Sequence, residues 1–171
     1  MSGADDARTS LAAVAALLAP AHPDVAARVL HAHDDPSGYV RDHARELSDR
    51  GIDAPVPGLS WIALVDALAA HRLLAEFDWK EDAQEIRAQL RRLDSRPSVD
   101  PWVLVEDDAM LLPTDAFLET CGRHYRDVGA ALVVLDIESD CYPVAGTRAA
   151  RVEELTGLAT AAGFTARGLG G

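Results

Sequence analysis

The chain contains a single lysine, Lys80, and two cysteines, Cys121 and Cys141, and aromatic residues make up only 5% of its 171 residues. Each scarcity excludes something. A P-loop or Schiff-base lysine would have to be Lys80 itself. Two thiols make neither a disulfide framework nor a zinc site of their own. Basic residues are also few, at 16 against 28 acidic, for a net charge of −12. Phosphate backbones repel such a surface, because nucleic-acid binding needs clustered Lys and Arg, so no nucleic-acid partner is expected. G-x-G-x-x-G, Walker A, G-x-S-x-G and H-E-x-x-H sequences are absent, which removes the common enzyme signatures. The apolar run Leu11 to Ala19 is too short to span a bilayer and stops at Pro20. Residues 1–10 carry Asp5 and Asp6 rather than a positive leader segment. The expectation is a cytoplasmic protein with reduced thiols and no membrane partner.

Apolar residues nevertheless reach 49%, much of it alanine. That composition favours helix, and a chain of this length buries about two-thirds of its unfolded surface. The first two-thirds read as helices. Leu11, Val14 and Leu18 follow a cap at Thr9 or Ser10; a second helix starts near Pro23; a third, capped by Ser37, runs to a left-handed stop at Gly51. Residues 52–58 form a connector. Ser60 precedes the stripe Trp61, Ile62, Val65, Leu68 and Leu73. Asp78 and Glu81 have capping-box spacing ahead of a helix with Ala83, Ile86, Leu90 and Leu93 on one face, which makes Phe77 a hydrophobic staple. Residues 102–105 fit strand or helix. Pro113 and Thr114 open a helix with Phe117, Leu118, Cys121 and Tyr125 inward.

The last third changes character. Ala130 to Ile137 reads as a buried strand, and Cys141 to Ala145 as a second, placed at an edge by Pro143. A helix capped by Thr147 and a short strand at Phe164 to Arg167 follow. The expected fold is α+β: a helix-rich N-terminal two-thirds packed on a small, mostly antiparallel C-terminal sheet. A sub-boundary near 95–100 is the one candidate division. Two halves would each be small, so a single domain over 1–171 is expected, with frayed ends at 1–8 and 168–171.

Several residue groups are candidates for chemistry. Asp136 and Glu138 share a strand face, and with Asp140 they offer oxygen ligands that suit Mg²⁺ or Mn²⁺. A solvated acidic turn is the plainer reading. His31 and His33, with His22 and His43, lack zinc-site spacing. Cys121 and His124 lie one helical turn apart, as a nucleophile pair requires, but on an apolar face. Trp79 and Lys80 fit a contact surface, and Glu106, Asp107 and Asp108 an acidic one. The Gly-Gly end matches sulfur carriers only in those two residues.

Three stretches carry a resemblance: residues 60–68 (SWIALVDAL), 77–82 (FDWKED) and 135–142 (LDIESDCY). Together they resemble a family of small bacterial proteins of unknown function. That resemblance implies no activity, cofactor or site residue. The strand–turn–Tyr segment is also loosely similar to a group of toxin-immunity proteins. Negative charge without a catalytic signature then makes the leading expectation a non-enzymatic binding or regulatory protein, inhibitor- or immunity-like, acting on a basic protein partner without a cofactor through Trp79, Lys80, Glu106, Asp107 and Asp108. A metal-dependent hydrolase using Asp136, Glu138 and Asp140, and a structural subunit of an assembly, are the alternatives.

Overall fold

The computed structural model describes residues 3–171. The ordered elements are α1 (Gly3–Leu18), α2 (Pro23–Asp34), α3 (Pro36–Asp42), α4 (Ala44–Asp49), α5 (Leu59–Ala70), β1 (Leu74–Asp78), α6 (Ala83–Arg91), α7 (Thr114–Asp127), β2 (Ala130–Asp136), β3 (Cys141–Arg148), α8 (Val152–Ala161) and β4 (Thr165–Gly168). Two 3-10 turns, Pro101–Leu104 and Asp107–Leu111, lie between α6 and α7.

The fold is α+β, and its four strands form one antiparallel sheet in the order β1-β3-β2-β4. Side chains alternate between its faces. Leu74, Val133, Leu135, Ala145 and Ala166 join a core built with α1, α2, α5 and α8. Ala75, Phe77, Leu132, Val134 and Val144 join a second core with α6 and α7. Helices therefore cover both faces, which is why Ala131 to Leu135 is apolar at every position rather than at every second one. A third, smaller cluster around Tyr39, Leu47 and Ile62 binds α3 and α4 to α5.

Several local expectations are corrected by this arrangement. The helical two-thirds contributes a strand, β1, which pairs with β3 from Leu74↔Ala145 to Asp78↔Cys141. Phe77 is a strand residue in the core, not a helix staple. Asp82, not Asp78, caps α6, accepting from the Gln84 N–H at 2.9 Å. Asp35 caps α3 in place of Ser37, Gly58 precedes α5 in place of Ser60, and Thr147 lies within β3. Helix α1 begins by Gly3, ahead of Thr9 and Ser10; residues 1–2 of the expected frayed start lie outside the described residues. Strand β3 is central rather than at an edge. Its pairing with β2 stops at Val144, however, so Pro143 sits just where β3 keeps only β1 as a neighbour. A missing N–H is tolerable at such a point.

The end at 168–171 is docked rather than frayed. Leu169 is 1% exposed, its N–H bonds to the Leu132 carbonyl at 2.9 Å, and the Gly170 N–H bonds to Glu119 Oε2 at 2.7 Å. Gly122 makes the docking possible, since a Cβ there would lie 2.5 Å from the Leu169 backbone. Gly122→Ala is expected to cost about 1–3 kcal/mol, as overpacking does. The Leu169 amide should then lose its protection from hydrogen exchange, and retained protection would show that the tail is held elsewhere.

Candidate functional site

The segment between α6 and α7 is built from residues that hold it from below and leave its outer side bare. Asp100 caps the first 3-10 turn by accepting from the Trp102 N–H at 2.9 Å. Trp102 itself is buried against Phe117 and Tyr125, with ring centroids 6.4 and 6.1 Å away. The 3-10 turn at 101–104 settles the conformation that the apolar run 102–105 left open. Val105 and Met110 pack on the same core and Ala109 is buried, while the other aliphatic side chains of the segment face water. Val103 is 80% exposed and Leu111 86% exposed, with Leu104 and Leu112 also exposed. Between them stand Glu106, Asp107 and Asp108, all exposed. The three carboxylates are thus bracketed on both sides by bare aliphatic groups. Single exposed aliphatics are ordinary, whereas several in one short segment are less so.

Trp79 and Lys80 lie in the turn that joins β1 to α6. Trp79 is 53% exposed and the Lys80 ammonium sits 4.4 Å from its ring centroid, a cation–π contact. This turn is tied to the start of α7, into which the 101–112 segment leads. The Thr114 hydroxyl, at the start of α7, donates to the Glu81 carbonyl at 2.9 Å. The five residues proposed from sequence therefore stand on two loops tied to a common support. Leu111, Leu112 and Val103 were missed. The available signal was the aperiodic string VLVEDDAMLL, in which apolar residues frame the acids without helix or strand spacing.

Asp136, Glu138 and Asp140 are placed elsewhere, where β2 ends. Asp136 Oδ1 accepts from the Glu138 N–H at 2.7 Å, and Glu138 adopts φ +59°, a left-handed conformation that costs roughly 1 kcal/mol outside glycine. Asp136 and Glu138 line a cavity of about 360 Å³ with Trp61 and Phe164. The Trp61 and Phe164 rings stack at 5.0 Å, and the buried Trp61 indole N–H has no hydrogen-bond partner among the described residues. Asp140 does not line this cavity. Among the described residues these three carboxylates do not bring ligand atoms together as a metal site requires. Glu106 and Asp108 line a different cavity, beside Arg123 and His124.

Cys121, His31 and His43 are accounted for by packing. Cys121 is fully buried and burial pushes its thiol up to about 12, so it carries no thiolate at neutral pH. His31 faces Asp42 at 3.8 Å and His43 stacks on Tyr39 at 4.3 Å. His22 stands before the first turn of α2, at the opposite end from His31.

No helix among the described residues is long and apolar enough to cross a membrane. A family model with the description "Domain of unknown function (DUF6630)" matches residues 10–169. No curated protein and no solved structure matches the chain.

Proposed function

We propose, from the premise that the chain belongs to the family described as a domain of unknown function (DUF6630), that it is a non-enzymatic binding protein for a basic protein partner. The observation that carries this reading is the bracketing of Glu106, Asp107 and Asp108 by Val103 at 80% exposure and Leu111 at 86%. Bare aliphatic groups supply the area that gains from burial. Carboxylates beside them select a partner whose own apolar patch is edged with Lys or Arg, and they speed the encounter. The net charge of −12 adds a long-range field of the same sign. Trp79, on its tied loop, supplies the aromatic anchor common in binding hot spots. Two unpaired thiols are compatible with the cytoplasmic location that belongs to this reading. The metal-dependent hydrolase alternative has no comparable support, because its three carboxylates do not converge.

Tagged chain should recover a stoichiometric basic partner from lysate of its source cells at low salt, and less at moderate salt. With that partner in hand, reversing Glu106, Asp107 and Asp108 to lysine together is expected to slow association by about tenfold or more at low ionic strength. Leu111→Asp should instead speed dissociation, since it removes apolar contact area. An association rate unchanged by the triple reversal at low salt would rule out this face.

A further inference from the structure

Two helix ends place His22, Asp24 and His71 side by side. His22 directly precedes α2, Asp24 lies in its first turn, and His71 terminates α5, against which α2 packs. Pro23 fixes the backbone between the first two. Arg72, just after His71, takes the left-handed turn at φ +56° and ties back to Asp94: its carbonyl accepts from the Asp94 N–H at 2.8 Å and its guanidinium pairs with the carboxylate at 3.0 Å. The three side chains are therefore set by fixed backbone rather than by a loose loop. His71 Nε2 lies 2.6 Å from Asp24 Oδ2, and the imidazoles of His22 and His71 stack with centroids 4.0 Å apart. One ligand atom from each residue falls within 4.8 Å of the others, the one such group among the described residues.

We propose that His22, Asp24 and His71 bind a first-row divalent cation, Zn²⁺ in the first instance. Two imidazoles and a carboxylate are a donor set such ions accept. With metal–ligand bonds of about 2.0–2.2 Å, ligand atoms around a common ion lie somewhat over 3 Å apart. Asp24 is exposed and both histidines are only partly buried, which leaves the three side chains room to turn toward a common ion. The cation replaces the proton shared between His71 and Asp24, and that hydrogen bond is given up. The C-terminal end of α5 favours positive charge at His71. The N-terminal end of α2 opposes it, and Asp24 offsets that opposition.

Three protein ligands leave a coordination position open. His22 also lines a cavity of about 590 Å³ that carries Arg148 and Arg151.

The test is calorimetry of the full chain, first stripped with chelator, against ZnCl₂ at neutral pH, with Co²⁺ absorption as a second readout. Wild type should bind one equivalent, raise its melting temperature on binding and give Co²⁺ bands of a nitrogen–oxygen site. His71→Gln and Asp24→Asn should each weaken binding by more than about tenfold while melting normally without metal. Cys141→Ser should bind as wild type does. Absence of wild-type binding up to millimolar metal, or variants at His71 and Asp24 that bind like wild type, or loss of binding in Cys141→Ser, would each overturn the site.

Discussion

Arg50→Met is expected to lower folding stability by about 3 kcal/mol at neutral pH, the scale at which removal of one partner strands buried charge. The Arg50 guanidinium, at the end of α4, bonds Asp66 of α5 at 2.7 Å and Glu76 of β1 at 2.6 and 2.9 Å. All three side chains are no more than a quarter exposed, Asp66 at 12%. Asp66 Oδ2 is buried with no hydrogen-bond partner among the described residues. Without Arg50 two carboxylates would face each other across an apolar boundary. The pH dependence follows from Asp66. Burial outweighs pairing with Arg50 and holds its carboxyl above the ordinary aspartate value. Between the ordinary and folded values the native state holds a proton that the unfolded chain lacks, so this group's contribution falls as pH rises through that window. In Arg50→Met the pairing is gone and burial remains, which lifts the folded value further. The variant therefore recovers by protonation on acidification, and its deficit relative to wild type should shrink between pH 7 and pH 4. Urea unfolding at both pH values measures this. An equal deficit at the two pH values would mean that stranded charge is not the cause. In an Asp66→Asn, Glu76→Gln background the same Arg50→Met change should cost about 1 kcal/mol, the scale of neutral hydrogen bonds.

This triad also shows where sequence reading stops. Arg50, Asp66 and Glu76 lie on three elements, and no spacing announces that they meet. Elements with their own period were legible. Ala83, Ile86 and Leu90 mark α6, Phe117, Leu118, Cys121 and Tyr125 mark α7, and the run from Ala131 to Leu135 marks β2. Strand β1 was not legible, because Leu-Ala-Glu-Phe-Asp contains helix formers and no β-branched residue. Pairing with β3 decides its conformation, as tertiary context often overrides weak strand propensity. Pro143 misled for a related reason, since it marks a locally single-sided stretch of a strand that is central elsewhere. Of the candidate binding face, the charges were visible in the sequence. The aliphatic groups beside them were not, since an apolar residue in an aperiodic string reads equally as core or surface until the fold turns Trp102, Val105, Ala109 and Met110 inward and leaves Val103, Leu104, Leu111 and Leu112 out.

Phe77→Ala is expected to have the largest effect on stability of any single change considered, about 3–5 kcal/mol, the usual range for a buried aromatic truncated to alanine. Phe77 is fully buried, and it is the main apolar side chain by which β1 grips the core formed with α6 and α7. Its neighbour Glu76 points to the opposite face and holds Arg50. Strand β1 is thus pinned from both sides by adjacent residues, while as an edge strand it has only β3 beside it. Either loss weakens the hold of the other, so Phe77→Ala and Arg50→Met should be non-additive, with a coupling on the order of 0.5–3 kcal/mol. Hydrogen exchange gives the spatial check. Amides of β1 should lose protection before those of β2, which lies between two strands. Uniform loss across all four strands would show that β1 cannot open by itself. Opening of β1 would release the Trp79 turn from one end while leaving the 101–112 segment on α7. A partner that uses both loops should then bind Phe77→Ala with a faster dissociation and a nearly unchanged association rate, because the steering carboxylates at 106–108 keep their places.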